Sequence, residues 1–154
     1  MRYANYMNGV RTGSAVAADR RQLAADLRAV CMRVSRRTRF AKDALVPPHQ
    51  ASVLGKLTEN VLTPRELADI ECVSAPSMTR TVGCLVDKGL VRREADPSDG
   101  RQVRLFITDE GRTTIARVRA QRDEWMLERL SALSEQECAV LEQAQEILGR
   151  VVAA

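Results

Sequence analysis

Two helix-start signals in close succession constrain this chain more than any other feature. Thr63-Pro64-Arg65-Glu66 puts a hydroxyl at a helix N-cap, proline at the first helical position and glutamate at the third. That is a capping box with its proline in place. Soon after, Ser74 is placed to cap a second helix that carries Pro76-Ser77-Met78-Thr79-Arg80 and ends at Lys88-Gly89. A glycine just past a lysine is a stop signal. The first helix must therefore be short, with Leu67, Ala68 and Ile70 on its apolar side, and Glu71-Cys72-Val73 must turn the chain. In the second helix Ala75, Met78, Val82 and Leu85 recur at helical spacing and predict an inward face.

A ribbon follows at once. Leu90 to Glu94 reads as a short strand, Ala95-Asp96-Pro97-Ser98-Asp99-Gly100 as a turn-rich tip. From Gln102 to Ile107 the pattern alternates, with Val103, Leu105 and Ile107 on one face and Gln102, Arg104 and Phe106 on the other. A hairpin directly after a helix-turn-helix makes the winged form of that motif. Small polar residues and one arginine at the front of its second helix suit a major groove. Arg80 can reach a guanine edge or a phosphate, Ser77 and Thr79 can donate to either, and Pro76 can touch a thymine methyl; Ser74 caps or donates. Arg101 sits at the wing tip, two residues after Asp99, whose carboxylate can hold and aim the guanidinium. An arginine fixed on a hairpin tip suits a narrow minor groove, where the potential is most negative. Arg104, with Arg92 and Arg93, adds phosphate-neutralising charge along the wing. The candidate DNA-binding set is therefore Ser74, Pro76, Ser77, Thr79, Arg80, Asp99, Arg101 and Arg104. The bland alternative for Asp99 and Arg101 is an ordinary turn ion pair, worth little.

These residues carry a resemblance. Leu62-Thr63-Pro64-x-x-Leu67-Ala68, Ser74-x-Pro76-Ser77-Met78-Thr79-Arg80, Lys88-Gly89-Leu90-Val91, Asp99-Gly100-Arg101 and Leu105-x-Ile107-Thr108-x-x-Gly111 stand in one order and spacing. Together they resemble the MarR family of bacterial transcription regulators. The resemblance implies a homodimer with intertwined terminal helices, and an Asp-x-Arg wing element that enters the minor groove. It also implies repression by promoter blocking, and release by a small, often aromatic or anionic effector bound between the DNA-binding lobe and the dimer helices. Residues near Phe40, His49 and Trp125 are the candidates for such a pocket. Gly100 stands where family members often have a further arginine, which removes one positive charge from the tip.

The flanks fit the same architecture. Residues 1–17 show no sustained period and read as a flexible arm. From Asp19 to Phe40 the pattern is helical, with Leu23, Leu27, Val30, Cys31 and Val34 in a stripe and the Arg33–Arg39 cluster mostly off it. Val46-Pro47-Pro48 breaks the chain before a short helix from His49 to Leu57. Thr108-Asp109-Glu110 opens a further helix carrying Ile115, Val118, Arg122, Trp125 and Leu130, to about Leu133. Ser134-Glu135-Gln136-Glu137 is a second capping box, opening a last helix with Leu141, Ala144, Leu148 and Val151 on one side. These ends offer more apolar stripe than a small winged domain needs, and two-fold pairing covers it economically. The fold class is mainly α (α+β): one domain over 18–154, with a winged helix-turn-helix core at 49–108 and dimerisation helices at 18–46 and 109–154.

Charge tests this reading. Residues 1–46 hold 10 basic and 3 acidic side chains, 47–108 hold 8 of each, and 109–154 hold 6 basic and 9 acidic. The proposed reading core is thus neutral overall. That supports an alternative, a winged-helix protein-interaction module without sequence-specific DNA binding. Steep weakening by salt would mark DNA binding and separate the two. No membrane span, phosphate loop, nucleophile elbow or metal-ligand spacing appears, so no enzyme, cofactor or metal is expected. Cys31, Cys72, Cys84 and Cys138 are scattered and read as reduced thiols of a cytoplasmic protein. Some MarR relatives sense oxidants through cysteine; here Cys31 beside Arg28 is the best placed, while the other three read as core or turn positions.

Overall fold

A computed structural model describes residues 13–40, 45–97, 99 and 102–153, with 13–18 as backbone only. Helix α1 runs Gly13–Arg39, α2 Pro48–Glu59, α3 Pro64–Ile70 and α4 Ala75–Asp87. Strands β1 (Val91–Ala95) and β2 (Val103–Ile107) form the hairpin, and α5 (Asp109–Leu130) and α6 (Glu135–Ala153) complete the chain. The chain divides into two units, residues 1–37 and 38–154. In the first, α1 begins at Gly13, earlier than the sequence pattern suggested; of the expected arm, residues 1–12 lie outside the described residues. Leu23, Leu27, Val30 and Met32 on α1 are exposed.

The second unit is built on side chains that its own elements bring together. Leu54 of α2, Leu67 of α3, Leu85 of α4 and Leu105 of β2 are all fully buried. Each such leucine stabilises by roughly 2 kcal/mol on leaving water. That matters most for α3, whose seven residues are too few to hold a helix alone. Leu67 and Ala68 clamp it to the core, while Thr63 and Glu66 fasten its start. The Thr63 amide donates to Glu66 at 2.7 Å and the Glu66 amide to the Thr63 hydroxyl at 3.2 Å.

The hairpin is antiparallel, with Val91 opposite Ile107, Arg93 opposite Leu105 and Ala95 opposite Val103. Leu105 and Ile107 face the core as the alternation predicts, whereas Val103 has run out past it and is 37% exposed. Leu62 adds a bridge to the other edge of β2, its carbonyl accepting from the Leu105 amide at 2.9 Å. This bridge, unforeseen from sequence, fixes the wing to the segment that starts α3.

A tight joint lies at the wing base. Gly89 has φ 69, the left-handed conformation that a glycine C-cap supplies. The Thr108 hydroxyl donates to the Gly89 carbonyl at 2.7 Å, and the Thr108 amide to that of Leu90 at 3.1 Å. The same hydroxyl accepts from the Gly111 amide at 3.0 Å and so caps α5. One threonine thus connects the end of α4, the start of β1 and the first turn of α5.

Candidate nucleic-acid interface

Helix α4 is the centre of the site. Met78, Val82 and Leu85 are buried and fix its inward side. Ala75, expected among them, is exposed, because at the first turn the helix has not yet reached the core. Pro76 and Arg80 stand opposite the buried row, and both are exposed. Ser77 and Thr81 flank the ridge on the α2 side, Ala75 and Thr79 on the wing side.

A cleft lies along each flank. The one toward α2 has a volume of about 290 Å³ and is lined by His49, Val53, Glu71, Ser77, Arg80 and Cys84 among others. The one toward α3 and the wing has about 690 Å³ and includes Arg65, Asp69, Val73, Ala75, Thr79 and Val103. Arg65 was not singled out by sequence reading; its place on the outer side of the first turn of α3 was the available signal.

The local hydrogen bonds revise several expectations. Ser74 occupies the N-cap position in extended conformation, but its side chain makes no cap bond, so it does not cap α4 as expected. Thr79 donates its hydroxyl back to the Ala75 carbonyl at 2.9 Å, and Thr81 donates to that of Ser77 at 3.1 Å. Thr79 is therefore engaged within its own helix as a donor. Cys72, in the turn between α3 and α4, is left-handed at φ 52.

On the wing, Arg104 is not an extended free cation. Its Nε donates to Asp96 at 2.5 Å, and Asp96 is 6% exposed against 45% for Arg104. Sequence reading placed Asp96 in the turn; the Asp96 amide instead donates to Gln102 at 2.9 Å, which carries the hairpin one pair beyond the strands and turns the carboxylate inward. Arg92 pairs with Glu94 and lies over the Phe106 ring at 4.5 Å from its centroid. Arg93 is exposed. Asp99 accepts from the Gln102 amide at 2.8 Å through its carbonyl and from the Gln102 side chain at 3.1 Å through its carboxylate. Arg101 lies outside the described residues, and so does any pairing of it with Asp99.

Glu66 is held below the ordinary carboxylate value by the Thr63 amide first and the Thr63 hydroxyl second, with a smaller contribution from nearby Arg104. On α5, burial first, then the charges of Arg39 and Arg119, press the Arg122 guanidinium below its usual value. The three residues named for an effector pocket, Phe40, His49 and Trp125, stand in different settings. His49 lines the α2–α4 cleft, Phe40 is 67% exposed, and Trp125 is covered by the Arg129 guanidinium at 3.7 Å. Of the core or turn positions expected for the cysteines, the turn holds for Cys72, between α3 and α4, but no cysteine is in the core: Cys31, Cys72 and Cys84 are exposed and Cys138 is intermediate. Among the described residues no cluster of His, Cys, Asp and Glu is placed to hold a metal ion, and no helix is long and apolar enough to cross a membrane.

Known proteins share this arrangement. The MarR family pattern matches residues 46–102, the stretch from α2 through β1 to the residue before β2. An HTH-type transcriptional regulator of Mycobacterium tuberculosis is 38% identical over 131 residues, covering 82% of this chain and 90% of that one. The crystal structure of a putative transcriptional regulator from Pseudomonas aeruginosa superposes with TM-score 0.73 at 32% identity, covering 92% of this chain and 98% of that one. A MepR variant of Staphylococcus aureus bound to an oligodeoxyribonucleotide has the same fold, with TM-score 0.63 at 21% identity over 85% of this chain and 96% of that one. These relatives are regulators and not enzymes. The chain belongs to the MarR family of winged helix-turn-helix transcription regulators.

Proposed function

We propose that this chain is a cytoplasmic, homodimeric, sequence-specific binder of double-stranded DNA that represses by occupying a pseudo-palindromic operator. The observation that carries the reading is α4. It is a ridge with Pro76 and Arg80 outward and the Ser74 and Ser77 side chains beside them, braced from behind by three buried side chains. Each subunit lays this ridge in a major groove, with Arg101 and Asp99 of the wing at the flanking minor groove. Arg104 supports the wing through Asp96 and adds positive potential. The oligodeoxyribonucleotide held by the MepR variant, a protein of the same fold, agrees with this use of the fold.

The dimer accounts for apolar surface that one chain leaves open. No residue of α6 is buried, and Val140, Leu141, Ile147 and Val151 are 45–68% exposed. Two-fold symmetry then spaces half-sites roughly one helical turn, about 10 bp, apart. Release is by a small aromatic or anionic effector, for which the α2–α4 cleft offers volume and Arg80 a cation.

The test is fluorescence anisotropy on a duplex from the promoter beside the chain's own gene, with a scrambled duplex as control, at 50 and 200 mM salt. Selective binding that weakens roughly a thousandfold between the two salts is expected for six or more phosphate contacts. Salt-insensitive or non-selective behaviour favours the protein-interaction module, which the paired Arg92 and Arg104 and the neutral core would suit. Arg101→Ala should weaken binding about tenfold across sequences while leaving fold and dimer intact. Unchanged affinity removes the wing from the interface.

A further inference from the structure

On the lining of the cleft between α4, α3 and the wing, donors come chiefly from Arg65, since the Gln102 side-chain amide is turned to Asp99 and the two threonine hydroxyls are engaged locally. Thr79 has its hydroxyl turned back to the Ala75 carbonyl, and Thr63 has its own in the capping box with Glu66. What these residues offer across the cleft is mostly methyl and methylene. Val73 is 43% exposed on one side and Val103 37% on the other, with Ala75 exposed between them. Arg65 on α3 and Arg80 on the ridge supply positive charge to either side, while Asp69 disfavours a phosphate within the cleft itself. With α4 laid in the major groove, the phosphate strand would run along the arginine flanks and the base edges would meet Ala75, Pro76 and the Thr79 methyl. In the major groove the one apolar feature of a base edge is the C5-methyl of thymine.

Resting on the regulator reading above, we infer that this flank of α4 reads thymine methyl groups. Ala75 and the Thr79 methyl on this flank, with Pro76 beside them on the ridge, are the specificity-determining contacts, and Arg80 is left to read a purine or phosphate. Each half-site then carries one or two thymines whose methyls are required.

The experiment uses the full-length protein and a duplex it selects from a random library at moderate salt. Thymines in that duplex are replaced one at a time by deoxyuridine, which removes only the methyl. Loss of about fourfold in affinity per critical methyl is expected, the scale of one buried carbon. Thr79→Ser keeps the hydroxyl and its bond to Ala75 but lacks the methyl. In that variant thymine and deoxyuridine should bind equally at the position Thr79 reads. If deoxyuridine is tolerated everywhere while a scrambled duplex still binds weakly, methyl reading is overturned and the regulator stands. If no duplex is selected, both are overturned.

Discussion

A β-carbon built on Gly111 would lie 2.2 Å from the Leu90 carbonyl oxygen and 2.8 Å from Ile107 Cγ1. The first of these atoms is backbone, so the neighbour cannot turn away. Gly111→Ala should destabilise by about 2–3 kcal/mol, the upper range for overpacking, read as a fall in the urea midpoint with unchanged slope. The sequence shows that glycine, but the reason for it lies in a contact with a residue on another element. Ser74 and Thr79 make the same point. Their residue types mark them as candidates, yet which way each hydroxyl turns depends on geometry the letters do not contain. Asp96 is a third case: a polar letter in a turn-rich run reads as solvated, and only the extra hairpin pair turns it toward Arg104.

At the scale of elements, reading succeeded where a local interaction sets the boundary. Thr63 and Glu66 start α3 as expected, and Ser134 and Glu137 start α6 the same way, at 2.9 and 3.3 Å. Glu66 and Glu137 are both held below the ordinary carboxylate value, by the backbone amide of their capping residue first and its hydroxyl second. A depressed folded value stabilises fully above the unfolded value, near 4.3, and the gain is lost as pH falls through the folded value. Melting temperature should thus hold between pH 7 and 5 and fall below about pH 4. Glu66→Gln retains an acceptor without a titrating proton, so its acid-induced fall should be shallower in calorimetry. If both proteins fall in parallel, the box does not contribute to acid sensitivity. Boundaries without such a signature were missed: α1 already includes Gly13, the first described residue, in a stretch of small residues with no sustained apolar period, and the Leu62 bridge rests on backbone alone.

For the whole molecule, the terminal stripes were legible as amphipathic, but what covers them was not, since the cover is no part of one chain's pattern. Leu141, exposed on α6, makes a clean probe of the proposed dimer. Leu141→Glu should yield a monomer by light scattering, retain the helical signal of the core, and lose operator affinity. A dimer that persists would place the two-fold contact elsewhere. The neutral charge of residues 47–108 also becomes intelligible at this scale. Glu94 and Asp96 are engaged in bracing Arg92 and Arg104.

The Thr108 joint has a mechanical meaning. One hydroxyl is bonded both to Gly89, just past the end of α4, and to the first turn of α5, and so ties the two helices at this point. A tilt applied along α5 would act on the end of α4 through this joint. In a two-fold assembly the span between the two ridges would then be set far from the DNA, and a nudge among the distal helices would pull them out of step with the turn of the double helix.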